Sequence, residues 1–458
     1  MAADPTTPPP PPPPPSPAAN AASKAPPRNP ALRMLGLPGL PRKLPSRNWM
    51  IFWTISTTIA AALIYDKREK KRAIAKWSHA VEHLAKEPLP DKLGLAQPRK
   101  LTIYLSSPPG DGLRVAQDHY TEYVKPILAA SGLDWEFVQG RREGDVRAYV
   151  AERVRRLRRS WEDNGEPDPN KQPTKEEVVD MFRKARGLKE YDGIKGDVVI
   201  GRHTWKEYLR GLHEGWLGPL VAPPEPEPLP TLESSSSEEK PAEEKQAEEE
   251  DKRPKRPPQP KPYNTTADYP TSSLPSQTPN EFNPTMPIPE PHILGFLNTP
   301  TRLYRFFNRR KLADEIGREV AAVCLCTYRE FQELPADADS ESPSATTQYE
   351  QLKELQWEEK DWVKSVWKEE EDPNRTKDAD EVPEKVLAKP IVMDQRIAAR
   401  MRRFELSPAD EERASKIVVP EEEIEGWIKG KLRKLYRWGK AKAFEKKKLA
   451  PLEDEDVE

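Results

Sequence analysis

The sequence predicts an α/β soluble domain with extra helices, carried behind one N-terminal transmembrane helix and broken by long disordered Pro/Glu-rich segments. Three observations predict this. Residues 48–65 contain no charge. Residues 100–217 alternate short β-patterned runs with helical stripes. Pro accounts for 53 of 458 residues, about 12% against roughly 5% on average. With 33% charged and 35% hydrophobic residues, the chain is too polar to bury a core along its whole length.

The uncharged run reads N-W-M-I-F-W-T-I-S-T-T-I-A-A-A-L-I-Y. As a helix it spans about 27 Å at about 1.5 Å per residue, which just meets the hydrocarbon thickness of a bilayer. Trp49 and Trp53 stand at one end and Tyr65 at the other, where amphipathic rings favour the interface. Thr54, Ser56, Thr57 and Thr58, followed by Ala60, Ala61 and Ala62, let a neighbouring helix approach closely and bond across the contact. The segment is therefore read as an assembly surface as well as a tether. Both flanks are basic, so the positive-inside rule leaves the orientation open. Residues 1–47 read as a disordered Pro-rich tail, with an extended polyproline stretch over the unbroken Pro run at 8–15.

Beyond the anchor, residues 66–98 predict a basic juxtamembrane helix and a linker broken by Pro88, Pro90 and Pro98. Residues 99–222 predict the α/β domain. A strand over 100–105 is followed by a turn at 106–112. A helical stripe then places Leu113, Ala116, Tyr120, Tyr123, Val124, Ile127 and Leu128 on one face, closed by Gly132. A second strand covers 134–138. The next helix carries Val146, Tyr149, Val150, Val154, Leu157 and Trp161 on one side and many arginines on the other. Thr174-x-x-Glu177 and Thr204-x-x-Glu207 read as capping boxes, with a short strand at 197–200 between them. This strand–helix alternation predicts parallel pairing with crossovers.

Residues 223–289 read as a disordered linker. Order is expected to resume at 292–296, and residues 290–333 to add a helix opened by Thr299-Pro300 and a buried strand at 320–328 returning to the sheet. Residues 334–347 form a second disordered loop. Residues 348–448 read as a helical C-terminal region, with one helix over 349–367 and a last one starting at Pro420. In that last helix Glu421 to Glu423 lead and Lys and Arg follow, as the helix dipole favours. Ile424, Trp427, Ile428, Leu432 and Leu435 form its apolar stripe. Residues 449–458 are an acidic tail.

Several function classes are weakened at this level. A net charge of −2 gives no global case for nucleic acid. Cys324 and Cys326 are too few for a disulfide framework or a Cys-rich zinc site. In a strand they point to the same face and read as buried thiols. His79-x-x-Glu82-His83 matches a zinc-protease order, but it lies on a Lys-rich helix beside the anchor, where a solvated face is the plainer reading. The 106–112 loop sits where phosphate loops sit, yet lacks G-x-G-x-x-G and a Gly-Lys-Ser/Thr ending. No cofactor and no metal are expected. Two basic features remain: the Arg153–Arg159 cluster, and the last helix with Lys429, Lys431, Arg433, Lys434 and Arg437. Such helices lie on anionic membranes or dock partners; the last helix equally fits one packed on its own domain with a solvated basic face, and Val154 and Leu157 equally fit the Arg cluster to a packed helix.

Four stretches carry a resemblance: P-S-R-N-W-M-I-F-W at 45–53, D-K-R-E-K-K-R at 66–72, G-D-V-V-I-G-R-H-T-W-K-E-Y at 196–208 and P-I-P-E-P-H-I-L-G-F at 287–296. Over roughly residues 30–440 the chain resembles the large single-span subunit of the fungal mitochondrial carrier translocase of the inner membrane. The resemblance implies a short tail in the matrix and a large domain in the intermembrane space. It implies a scaffold or docking role in inserting multi-span carriers. The implied partners are the channel-forming subunit, small intermembrane-space chaperone complexes and inner-membrane lipids. It supplies no catalytic residues. The Pro run at 8–15 and the acidic linker are not assigned to the family. The alternatives are a membrane-tethered nucleotide- or lipid-modifying enzyme using the α/β domain, and a tether in another membrane.

Overall fold

The computed structural model describes residues 46–88, 97–162, 175–188, 191, 193–223, 259–334, 348–367 and 384–448. The Pro-rich tail, most of the acidic linker, the loop at 335–347 and the acidic tail lie outside the described residues.

The first helix, α1 (Arg47–Val81), runs unbroken through the apolar segment and its basic continuation. Among the described residues it is the one helix long and apolar enough to cross a membrane. Two units divide at Ala61/Ala62. In the first, Trp49 stacks on Trp53 with ring centroids 6.4 Å apart, and Phe52 meets both edge-on. The hydroxyls do not wait for a partner helix. Thr54 donates to the Ile51 carbonyl, Thr57 to that of Trp53 and Thr58 to that of Thr54, at 2.7–2.8 Å. This intrahelical bonding uses the donors of these three threonines.

In the second unit, α1 becomes part of the core. Asp66, Lys70, Trp77 and Val81, at helical spacing, are buried. A short 3-10 turn (Glu82–Lys86) ends the segment. Then come β1 (Lys100–Ser106), α2 (Leu113–His119), a π turn (Tyr120–Val124), α3 (Lys125–Ser131), β2 (Asp134–Gly140), α4 (Asp145–Glu162), α5 (Lys175–Ala185), β3 (Asp197–Ile200) and α6 (Arg202–Leu217). Gly132 closes α3 at φ +70°, as its place in the sequence predicts.

The rest departs from expectation. Residues 259–288 are ordered and hold β4 (Thr285–Ile288), so the expected linker contributes a buried strand. Its hydrophobic run is only Met286-Pro287-Ile288, too short to stand out among prolines. Order resumes before 292–296, and that stretch forms no regular element. Helix α7 (Thr299–Phe306) starts with Pro300, as predicted. Helix α8 (Arg309–Leu325) then replaces the expected strand at 320–328. A fully apolar run has no period of its own, and burial of Val320 to Cys324 suits a helix packed on its whole last turn. Cys324 is thus on a helix and Cys326 is its left-handed cap at φ 59°; they do not share a strand face. Burial holds the Cys324 thiol up at about 11.

What returns to the sheet is β5 (Tyr328–Glu330) and, much later, β8. Between them lie the small hairpin of β6 (Glu333–Leu334) and β7 (Gln348–Tyr349), α9 (Glu350–Lys353), a 3-10 turn (Gln356–Asp361), α10 (Lys364–Trp367) and α11 (Gln395–Ala398). The expected helix over 349–367 is therefore broken, with Leu355 in the left-handed region at φ 57°. After β8 (Arg402–Phe404) come α12 (Pro408–Ser415), α13 (Glu421–Glu425) and α14 (Trp427–Lys448). Gly426 at φ +83° divides the expected last helix in two.

The main sheet has the order β2-β1-β3-β4-β8-β5. Its first five strands are parallel and β5 is antiparallel to β8. This is a doubly wound sheet, with the chain reversing direction between β1 and β3. Alternate residues feed two cores. Leu101, Ile103, Leu105, Val198 and Ile200 face α1, α2, α3 and α8; Tyr104 and Val199 face α4 and α6. Gly211 and Gly215 let α6 approach α4. A Cβ at Gly211 would lie 2.6 Å from the Arg147 carbonyl oxygen, and one at Gly215 2.6 Å from Val154 Cβ.

Trp77 joins α1 to α8. Its indole N–H donates to Asp314 at 2.8 Å. Its ring lies on Gly317, where a Cβ would come within 2.2 Å of Trp77 Cδ1. Trp77→Ala should cost about 3–5 kcal/mol and Gly317→Leu about 1–3 kcal/mol by overpacking. Thermal unfolding of the full chain in detergent measures both; an unchanged transition in either variant would contradict this seating.

Candidate functional site: the carboxyl edge of the sheet

In a doubly wound sheet, ligands bind beyond the carboxyl ends of the strands, at the reversal point. Here that point lies between Ser106, ending β1, and Gly201, which follows β3 at φ +85°. The 106–112 loop and the start of α6 therefore meet where a nucleotide site would be expected.

The local chemistry is turned inward. The Ser106 N–H donates to Thr204 Oγ1 at 3.2 Å, and the Ser106 hydroxyl donates to Glu207 at 3.3 Å. Glu207 also accepts the Val146 N–H at 3.0 Å, and burial pushes its carboxyl up to about 7. Thr204 and Glu207 are thus not a capping box. Helix α6 begins two residues earlier, and both side chains join strand to helix instead. His203 Nε2 lies 3.0 Å from the Ser106 carbonyl oxygen, not its hydroxyl. Ser106 and His203 therefore form no nucleophile–base pair. Burial brings the His203 imidazole down to about 4.

Glu290 lies 3.8 Å from His203 Nε2. Neither of its carboxyl oxygens has a hydrogen-bond partner among the described residues. Burial, with Glu358 beside it, holds this carboxyl well above the usual carboxylate range. At neutral pH the buried pair is a carboxylic acid beside a neutral imidazole, so little charge is buried.

The N-terminus of α6, a natural anion site, is filled by the chain itself. Glu358 accepts the Arg202 N–H at 2.8 Å and the Glu290 N–H at 2.7 Å. The Arg202 guanidinium donates to Glu359 and to the Glu354 carbonyl, both at 2.7 Å. Trp205 donates to the Gln351 carbonyl at 3.0 Å. Gly110, at φ +88°, packs against Leu294 and Val363. The 350–363 segment is thus laid over the reversal point, and every residue of α6 is buried. The nearby pocket between Lys206, Arg210, Tyr269 and Glu384 holds about 30 Å³, room for a water or two.

The remaining sequence candidates are also engaged. His79 has Glu82 at 3.0 Å on one ring nitrogen and Glu423 at 2.8 Å on the other; these carboxylates raise its pKa. Among the described residues no group of three His, Cys, Asp or Glu side chains stands ready for a metal. Within the Arg cluster, Arg155 and Arg158 are buried, and Arg153, Arg156 and Arg159 are half-buried. Arg155 pairs with Glu214, Arg153 with Asp197 at 2.9 Å, and Arg158 donates to the Gly215 and Gly218 carbonyls. Glu214 binds Arg147 as well, which ties α4 to α6. Lys429, Lys431, Arg433, Lys434 and Arg437 lie on α14, far in sequence from the sheet. Arg433 pairs with Glu425 at 2.9 Å and Arg437 with Glu421 at 2.8 Å.

Comparison with known proteins supplies what the site does not. The profile of the Tim54 family, described as inner membrane protein import complex subunit Tim54, matches residues 29–404. The chain belongs to the Tim54 family. It is 69% identical over 440 residues to the mitochondrial import inner membrane translocase subunit tim54 of Neurospora crassa, covering 94% of this chain and 92% of that one. The namesake of Aspergillus oryzae is 46% identical, over 85% and 91% of the two chains. That of Saccharomyces cerevisiae is 27% identical, over 84% and 95%. Membership places the chain in the mitochondrial inner membrane and in protein import.

Two predictions follow from the closed edge. Glu358→Ala leaves the Arg202 and Glu290 amides without their acceptor and should cost about 2–4 kcal/mol. It should also open residues 350–363 to protease, and resistance equal to wild type would contradict the latch. Glu290 keeps its proton longer in the folded chain than in the unfolded one. Its contribution is therefore full below the ordinary carboxylate range and is lost as pH rises toward the raised value. Glu290→Gln should make the fall in melting temperature from pH 5 to pH 8 shallower; an equal slope would contradict the assignment.

Proposed function

We propose that this chain is a non-enzymatic scaffold and docking subunit of the translocase that inserts multi-span carriers into the inner membrane. Its bulk lies in the intermembrane space, and α1 is its single span. Its partners are the channel-forming subunit, reached through Ala60, Ala61 and Ala62, the small chaperone complexes that deliver carriers, and the lipids of the inner membrane. The reading rests on family membership and on one structural observation: the edge where a doubly wound enzyme would bind its ligand is closed by the chain's own 350–363 segment. That closure also speaks against a nucleotide- or lipid-modifying enzyme.

Depleting the protein should reduce carrier insertion into isolated mitochondria, while presequence-directed import continues. Full insertion with an intact channel complex would sink the proposal. Replacing Ala60, Ala61 and Ala62 with Leu should weaken co-isolation with the channel subunit without detaching the chain from the membrane. Protease added after rupture of the outer membrane should remove the domain beyond Tyr65; protection of that domain would reverse the orientation.

A further inference from the structure

Two exposed apolar patches belong to segments that lead into contacts with α1 close to Tyr65, the last residue of its apolar run. The first is carried by α7 and the loop before it. Phe296 and Leu297 are about 90% exposed, and Leu303 and Tyr304 more than half. The helix that follows this patch, α8, is held to α1 at its first turn. Arg310 receives its place from Asp66, which accepts the Arg310 N–H at 3.2 Å, and its guanidinium lies 5.3 Å from the centre of the Tyr65 ring.

The second patch is α14. Gly426 turns the chain, and Gly430 lets α14 lie against α13, where a Cβ would come within 2.5 Å of Glu422 Cα. The pair is held to α1 by shared carboxylates. Glu421 binds Arg68, Arg72 and Arg437; Glu425 binds Arg68 and Arg433. Arg68 is three residues past Tyr65, about 4.5 Å along the helix. Arg433 and Arg437 of α14 are thus engaged by carboxylates of α13. The expected stripe splits: Ile424 is buried, whereas Trp427, Ile428, Leu432, Leu435, Tyr436 and Trp438 are 57–70% exposed. Lys429 and Lys434 border this face, and Lys431 and Lys442 stand within it over its tryptophans. Lys431 lies 4.1 Å from the Trp427 ring centre and Lys442 4.2 Å from that of Trp438. Alongside runs an open groove of about 590 Å³ lined by Glu425, Lys429, Arg433, Arg437 and Lys440, in which Glu425 pairs with Arg433 and the lysines supply the excess positive charge. Helix α14 carries ten Lys and Arg against one Glu.

We propose that α7 and α14 form a collar lying on the lipid surface that α1 enters, with the α14 groove taking anionic phospholipid headgroups. Both helices connect to segments held by Asp66, Arg68 and Arg72, within two turns of the end of the apolar run. Exposed Trp, Tyr and Leu with a Lys rim is the composition of an interfacial helix, and a basic segment beside a span is drawn to anionic lipid. The collar rests on α1 being the span, and retention of the chain in the bilayer after an alkaline wash checks that separately.

The test uses the full chain, with Cys324 and Cys326 replaced by Ser, in nanodiscs of phosphatidylcholine with or without phosphatidylglycerol. An environment-sensitive dye is attached at Leu303→Cys or Leu432→Cys. With anionic lipid, both dyes should shift to the blue, become quenched by brominated acyl chains and lose quenching by iodide. Combining Lys429→Glu, Lys431→Glu and Lys440→Glu should abolish the shift at 432 while leaving the melting transition and the alkaline-wash retention unchanged. Dyes that stay in water in both lipids overturn the collar. Dyes that are shielded only in the assembled translocase overturn it in favour of a protein partner. Equal insertion into neutral lipid overturns the headgroup groove.

Discussion

The fold depends on burying one face of the helix that leaves the apolar run. Asp66, Lys70, Trp77 and Val81 lie at helical spacing, and each meets the domain. Lys70 pairs with Glu122 and sits 4.3 Å above the Tyr123 ring. Trp77 fills the space that Gly317 leaves. Burying a large aromatic side chain contributes more than a surface ion pair, so Trp77 outweighs the charges around it. The segment after the apolar run is therefore a layer of the core, not a linker to it.

The same economy of contacts explains the opposite end of the sheet. A doubly wound topology creates a crevice at the strand reversal whatever the protein does. Here Glu358 takes the amides that a bound anion would take, and Arg202, Trp205 and Gly110 hold the covering segment. The cost is a set of carboxyls driven upward by burial: Glu207 and Glu358 to about 7, and Glu290 higher. In an enzyme, such shifts accompany access for a substrate. Here they accompany burial behind the protein's own chain, so they report packing.

Charge plays two roles that composition cannot separate. The arginines of α4 look like a basic surface in sequence, but Arg147 and Arg155 converge on Glu214 in the interior. Removing one member of such a buried group leaves an uncompensated charge and is strongly destabilising. The basic residues of α14 divide: Arg433 and Arg437 turn inward to Glu425 and Glu421, while Lys431 and Lys442 lie over exposed rings.

The sequence by itself determined the long apolar helix, the α/β class and the existence of the elements β1 through α6, because each has a clear period of apolar residues. It also located α7 through Thr299-Pro300. Tertiary structure alone decided the rest. The buried run at 320–325 has no period, so only its packing makes it helix. Strand β4 is four residues long among prolines, and β8 is three residues beside charged neighbours; partner strands define both. Thr204 and Glu207 match a capping box, yet Ser106 and Val146 claim them. The break at Gly426 was visible as a residue, but only the docking of α13 shows that it divides the helix. The closed carboxyl edge was not legible at all, since Glu358 reaches Arg202 across more than 150 residues, and no local pattern encodes a contact between segments so far apart.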